Sequence, residues 1–334
     1  MTNKLGVTPG EPTPLLQRKT WVPAAVLATS LALGCGTSDV VSAQPPADAS
    51  SEGAQPPADA SSEPPTLSSL AGHFVDPASP SGALPFVTDG SPAGLGSWAL
   101  TFSDEFTGTT ITSRWNTSFE KDRGINHNGT PYDWWHRSSN LSLDGSGHLD
   151  IKFIREADGG GIAMFSSGLL NTNGTNPFSQ LYGYYEAKIQ LPPTNGTQGA
   201  MWMMPQAGIA NCSAAPMGGA EYDILESNRQ ADSFSTNIHQ GGYGACHTSL
   251  QGYINASGMH NGYHTWGFDW AADHVSFYYD GVRYRTVLDT AWISHVAQYP
   301  ILSGGILRPF DGGDVFSAVL PYHMFVDYAR VWKR

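Results

Sequence analysis

Between residues 98 and 332 the chain reads as one short alternating segment after another, divided by Gly, Pro, Asp and Asn. An apolar/polar period of two sends successive side chains to opposite faces of a strand, whereas a helix needs apolar residues three and four apart. Residues 98–102 alternate, and residues 140–143 lead into the turn Asp144-Gly145-Ser146-Gly147. Residues 148–153 alternate beyond that turn, so a hairpin is expected there. Residues 182–191 are stopped by Pro192-Pro193 and residues 199–204 by Pro205, because proline cannot donate to a sheet ladder. Further strands are expected over residues 219–226, 233–239, 263–270, 275–279, 282–287, 299–302 and 324–332, with a short helical turn over 290–297. No long amphipathic helix interrupts them. Segments that each carry one apolar face must bury it against another layer, which predicts a single all-β domain of sandwich type.

Charged residues make up only 14%, against 38 Gly, 10 Trp, 14 Tyr and 14 Phe, a mixture suited to turn-rich β structure with aromatic binding surfaces. The formal net charge of -12 comes with no basic patch to neutralise phosphates, which excludes a nucleic-acid partner.

Lys4, Arg18 and Lys19 precede an apolar run over residues 21–33, too short for a comfortable membrane span but suited to a signal segment. Its end, Leu31-Ala32-Leu33-Gly34-Cys35, resembles a bacterial lipoprotein signal that would lipidate Cys35, although an aliphatic residue is usual in place of Ala32. Cleavage after Val41-Ser42-Ala43 is the alternative, and a retained membrane anchor the third. The first two export the protein. An 11-residue unit rich in Pro, Ala, Ser and acid then repeats in tandem from Ala43 to Glu63. Such composition buries no core and stays extended. The expected organisation is a signal segment over 1–35, a disordered linker over 36–93 and the β-sandwich over 94–334. Export favours a disulfide between Cys212 and Cys246, the alternative being two buried free thiols.

The candidate chemistry lies in Gly219-Ala220-Glu221-Tyr222-Asp223-Ile224-Leu225-Glu226. In a strand Glu221 and Asp223 share one face, while Tyr222 and Ile224 take the other. Glu226 has the wrong parity, and a bulge around Ile224-Leu225 would return it beside the other two. Two glutamates on one face, with an aspartate between them, are the parts needed for glycoside hydrolysis with retention.

Several ordered segments resemble glycoside hydrolase family 16, which includes laminarinases, agarases and carrageenases. They are Phe102-Ser103-Asp104-Glu105-Phe106, Ser166-Ser167-Gly168, Tyr182-Gly183-Tyr184-Tyr185-Glu186-Ala187-Lys188-Ile189, Ala200-Met201-Trp202-Met203-Met204, the carboxylate strand, Tyr263-His264-Thr265-Trp266-Gly267-Phe268-Asp269-Trp270, Phe277-Tyr278-Tyr279-Asp280-Gly281 and Val326-Asp327-Tyr328-Ala329-Arg330-Val331. The resemblance implies a jelly-roll of two curved antiparallel sheets, concanavalin A-like, with a sugar cleft. It implies Glu221 as nucleophile, Glu226 as general acid/base and Asp223 as the carboxylate that tunes the nucleophile. Glu226 is expected to be protonated, helped by a neighbouring negative charge. Trp202 matches a platform beside the cleavage point, Trp134 and Trp135, in a loop before Asn140, match the cleft wall, and Asn140 and His239 complete the expected substrate-binding set. His239 is expected opposite Asp223 if the hairpin centres near Ala231, either bonding it or serving structure alone. Glu105 and Asp327 match positions where family members often hold a structural calcium ion. No cofactor is implied for catalysis.

The expected activity is an exported, endo-acting, retaining β-glycanase acting as a monomer on a polysaccharide, foremost a β-1,3-glucan. A sulfated or agar-type galactan, transglycosylation and a non-catalytic sugar-binding module are the alternatives. Only Lys121, Arg123, Arg137 and Arg229 stand near enough to serve a sulfated chain, which favours a neutral one. Tyr222 and Ile301-Leu302-Ser303-Gly304-Gly305 depart from the family pattern and leave the particular substrate open.

Overall fold

The computed structural model describes residues 74–118, 132–159, 162–192, 196–227, 232–306 and 315–334. Cys35, the repeat, Lys121, Arg123 and Arg229 lie outside the described residues. The strands are β1 (Ala99–Asp104), β2 (Tyr132–His136), β3 (Leu141–Leu143), β4 (Leu149–Gly159), β5 (Ile162–Ser167), β6 (Leu169–Asn171), β7 (Gly183–Gln190), β8 (Thr197–Pro205), β9 (Glu221–Ser227), β10 (Ser233–Gln240), β11 (Thr248–Ser249), β12 (Gly252–Asn255), β13 (His264–Trp270), β14 (Val275–Tyr279), β15 (Val282–Val287), β16 (Gln298–Ile306) and β17 (Tyr322–Lys333). The helical turn expected over 290–297 is a 3-10 turn of Thr290–Trp292.

Among the described residues the strands form two sheets. One runs β15-β14-β13-β7-β17-β4-β5-β2, with β1 beside β17 and β3 beside β4; the other runs β11-β10-β9-β8-β16-β6, with β12 beside β10. The sandwich is therefore as expected, with one exception. β2 pairs with β5 in parallel, so the sheets are not purely antiparallel.

Alternation decides what the sheets bury. On β9, Tyr222 and Leu225 turn inward and are fully buried. The Tyr222 ring packs 5.0 Å from Phe268 and 5.7 Å from Trp270 of β13 in the facing sheet. Its hydroxyl would be costly to bury alone, but it accepts from Ser294 N–H at 2.6 Å and donates to the Trp292 carbonyl at 3.3 Å. The departure noted at Tyr222 is thus absorbed by the core.

Residues 74–93 differ from expectation. Assigned to the linker on composition, they lie against the outer face of the larger sheet. Trp332 Nε1–H donates to the Ala83 carbonyl at 2.8 Å, Phe86 N–H donates to Glu186 Oε2 at 2.9 Å, and Ser91 Oγ lies 2.9 Å from the Tyr278 hydroxyl. Ala93 is fully buried in a small second core with Tyr184, Tyr278 and Trp332. A segment broken up by Pro, Gly and Ser still docks where the sheet supplies partners for its backbone. The folded domain therefore reaches back to Phe74, whose ring meets Phe178 at 5.4 Å.

Glu186 is the buried anchor of that segment. It also accepts from the Tyr328 hydroxyl at 2.8 Å, and burial pushes its carboxyl up to about 7 despite these hydrogen bonds and the Arg330 charge. Below the ordinary glutamate range the group is protonated in both folded and unfolded chains. From there up to about pH 7 only the unfolded chain ionises, so the stability contribution decays as pH rises and is lost through the folded pKa. Glu186→Gln escapes this loss. Wild type is expected to lose several degrees of melting temperature relative to E186Q between about pH 5 and 7.5, and a pH-independent gap would contradict the assignment.

Candidate active site

The three carboxylates converge because β9 holds one residue more than its neighbours. Against β8, Trp202 faces Asp223 but Met201 faces Leu225; against β10, Asn237 faces Asp223 but Ser235 faces Glu226. Ile224 is left over. This is the expected bulge, and it restores Glu226 to the face of Glu221 and Asp223.

Each carboxylate has its own surroundings. Glu226 Oε2 accepts from Asn237 Nδ2 at 2.7 Å and Ser235 Oγ at 3.1 Å, and Oε1 accepts from Gln198 Nε2 at 3.3 Å. Burial nevertheless raises its pKa, the hydrogen bonds opposing the shift. The expected cause, a neighbouring negative charge, is thus replaced by desolvation. Asp223 is 5% exposed. Burial first, then the charges of Glu221 and Glu226, hold its carboxyl well above the usual range. Both carboxyls are thus pushed toward their protonated forms.

His239 stands opposite Glu221 in the β9–β10 register, not opposite Asp223 as expected, because the hairpin centres about one residue earlier. Its Nε2 still lies 3.2 Å from Asp223 Oδ2 and 4.0 Å from Glu221 Oε1. Burial, then the neighbouring His247, lowers its pKa, so the ring is neutral at pH 7. A neutral imidazole can hold Asp223 without adding charge beside Glu221.

Trp202 shares the face of Asp223, is half-buried and donates through Nε1 to Ser303 Oγ at 3.0 Å. Ser303 belongs to the Ile301-to-Gly305 run that departs from the family pattern, so this run anchors the Trp202 ring. Trp134 and Trp135 sit in strand β2, not in a loop, since pairing with β5 extends the chain there. The Trp134 side chain lies outside the described residues. Trp135 is half-buried beneath the Arg137 guanidinium at 5.2 Å. Asn140 is 3% exposed and donates to Ser166 Oγ at 2.8 Å and the Ser167 carbonyl at 3.3 Å. It pins the chain to β5, and the expectation that it binds substrate is corrected.

Gln198, Ser235 and Asn237 were legible by parity, being two or four residues from Trp202 and His239 on adjoining strands. Tyr243 was not. It lies in the turn after β10, and its hydroxyl donates to Glu221 Oε2. That turn is held by the Cys212–Cys246 disulfide, formed as expected with Cα atoms 4.9 Å apart.

The family model for glycosyl hydrolases family 16 matches residues 128–306, over half of the chain, and spans the bulged strand. The chain belongs to this family. Glucan endo-1,3-beta-glucosidase A1 of Niallia circulans is 30% identical over 275 residues, covering 74% of this chain and 39% of the relative. The chain thus spans about two-fifths of that relative's length. A crystal structure of SCLam, a non-specific endo-beta-1,3(4)-glucanase from family GH16, is 25% identical with a TM-score of 0.57, covering 71% of this chain and 91% of that one. The laminarinase from Flavobacterium sp. UMI-01 shares the fold at 23% identity and a TM-score of 0.57, covering 70% of this chain and 100% of its own.

Family 16 catalysis needs no cofactor, and the calcium expected at Glu105 and Asp327 does not fit these residues. Both Glu105 oxygens are taken by the Arg330 guanidinium at 2.8 and 2.7 Å, and Asp327 pairs with the Lys188 ammonium at 2.6 Å. Two fixed cations stand where a divalent ion would need the same oxygens. Glu221, Asp223 and His239 do bring three metal-capable atoms within 4.8 Å of one another. Chelation with EDTA is expected to leave the melting temperature within about 1 °C, whereas a fall of several degrees reversed by calcium would overturn this assignment.

Proposed function

We propose that the domain is an endo-acting retaining β-glycanase that hydrolyses polysaccharide, foremost β-1,3-glucan. The observation that carries this is the bulge at Ile224, which sets Glu221, a buried Asp223 and Glu226, whose pKa burial raises, on one face beside Trp202. Retention requires two carboxyls in different protonation states at the same moment. Glu221 attacks the anomeric carbon while Glu226 gives its proton to the departing oxygen. The negative charge on Glu221 is consumed, a glycosyl-enzyme forms, and Glu226, now ionised, activates the water that releases the sugar. Asn237, Ser235 and Gln198 stabilise Glu226 in that ionised half of the cycle.

The names of the Niallia circulans relative and of SCLam support the β-1,3 linkage. Charge supports a neutral chain. Arg137, the only described one of the four candidate cations, is held by both Glu156 oxygens at 2.5 and 2.9 Å and is not offered to a sulfate. Transglycosylation would pass through the same intermediate. A purely binding module would have no use for a glutamate whose pKa burial raises beside two further carboxyls.

Wild type is expected to release reducing ends from laminarin and not from agarose or κ-carrageenan, with Glu221→Gln losing at least about a thousandfold. Glu226→Ala is expected to lose laminarin cleavage while still releasing a good aryl leaving group in the first step. No release from any substrate by wild type would sink the enzymatic reading.

Export through the N-terminal segment, with residues 36–73 as a tether, belongs to the same proposal. Mass spectrometry of the mature chain is expected to find diacylated Cys35 or a new terminus at Gln44, and an intact leader would contradict export.

A further inference from the structure

The turn that leaves β10 comes back over the reaction face, and it is built to be stiff. Cys246 is bonded to Cys212, and Cys212 N–H donates to the Gly241 carbonyl at 3.1 Å. The Gln240 side chain accepts from Ala215 N–H at 2.6 Å. Gly241 and Gly242 take φ values of +78° and +72°, and a Cβ would lie 2.3 Å from the Cys246 carbonyl oxygen at the first and 2.0 Å from Asn211 Oδ1 at the second. Only glycine serves there. The turn carries Tyr243, whose side chain is 61% exposed while its hydroxyl points back to donate to Glu221 Oε2. Met204 Sδ lies 3.9 Å from the same hydroxyl. His247, at the far end of the turn, packs 5.7 Å from the Tyr243 ring and stacks on His239 at 5.1 Å. Tyr243 thus holds one oxygen of Glu221 while His239 stands 4.0 Å from the other.

We propose that Tyr243 is a positioning residue for the nucleophile and that it speeds the second half of the reaction selectively. The inference rests on the retaining reading above. A phenol donates more strongly to a carboxylate than to an ester carbonyl, because charge-assisted hydrogen bonds are roughly twice as strong as neutral ones. In the first step Oε1 attacks the anomeric carbon, the glycosidic bond breaks, and the proton of Glu226 passes to the departing oxygen. Charge leaves Glu221, so the Tyr243 hydrogen bond weakens along the way and gives this step no help. In the second step water adds to the anomeric carbon, Glu226 takes its proton, and the carbon–Oε1 bond breaks. The electron pair returns to Glu221, and the Tyr243 hydrogen bond strengthens in step with it. Tyr243 makes Glu221 a better leaving group, and the anchored turn keeps the hydroxyl in place when Oε1 is esterified.

The test compares wild type with Tyr243→Phe on a 2,4-dinitrophenyl β-glycoside of a laminari-oligosaccharide. Its first step is fast, so kcat reports the second and kcat/KM the first. For Y243F, kcat is expected to fall about tenfold, equivalent to about 1.4 kcal/mol in the barrier. KM falls in parallel, and kcat/KM stays within about threefold. Intact-protein mass spectrometry during turnover shows a larger fraction of Y243F carrying the bound sugar. The melting temperature is unchanged, since the lost hydroxyl sits on an exposed side chain. An unchanged kcat, or a lower kcat with unchanged or higher KM, overturns the proposal. Inactivity of wild type on both this glycoside and laminarin would instead remove the retaining reading, and the proposal with it.

Discussion

The site depends on burying three carboxylates side by side without leaving three charges there. Three negative charges in a half-dry cluster would repel strongly, and the protein avoids them by removing water from two of the groups. Asp223 and Glu226 are pushed toward their protonated forms chiefly by desolvation. That leaves Glu221 as the carboxylate to which the proposed reaction assigns the attack. One backbone irregularity makes this possible. Without the extra residue at Ile224, Glu226 would point into the sandwich core, beside the ring system of Tyr222, Phe268 and Trp270.

The rest of the fold holds that irregularity still. The inward face of β9 is locked by Tyr222, whose satisfied hydroxyl lets a polar atom sit deep in the core. On the outward face, β8 supplies Gln198 and Trp202, and β10 supplies Ser235, Asn237 and His239, all by simple alternation. The disulfide ties the approach to β9 to the exit from β10, so the turn bearing Tyr243 and His247 moves with the strands it serves. At the opposite face of the larger sheet, residues 74–93 cover Glu186, Tyr184 and Tyr278. Stability and chemistry thus use separate faces of the sandwich.

Much of this was legible in the sequence wherever a turn signal fixes the ends of a strand. β14 and β15, joined across Asp280-Gly281, begin and end where the pattern places them, and the parity break at Glu226 marks the bulge. Short strands such as β6, β11 and β12 hold too few residues to show a period. β2 and β5 gain their extended form from each other, through a parallel pairing that local pattern does not encode. Residues 74–93 read as linker because composition records what a segment can bury, not which sheet groups await its backbone. Asn140 was drawn toward the cleft by its position in the family, whereas its amide bonds inside the domain. Tyr243 gave no signal, because a turn residue's direction is set by the disulfide and two left-handed glycines around it.

The central claim is that Glu221 and Glu226 act in two displacements at one anomeric carbon. Proton NMR of the first laminarin ends released, recorded before mutarotation, tests it most directly. Double displacement predicts that the new reducing ends appear first as the β-anomer. Appearance of the α-anomer first would show a single displacement by water and would contradict the roles assigned to both glutamates.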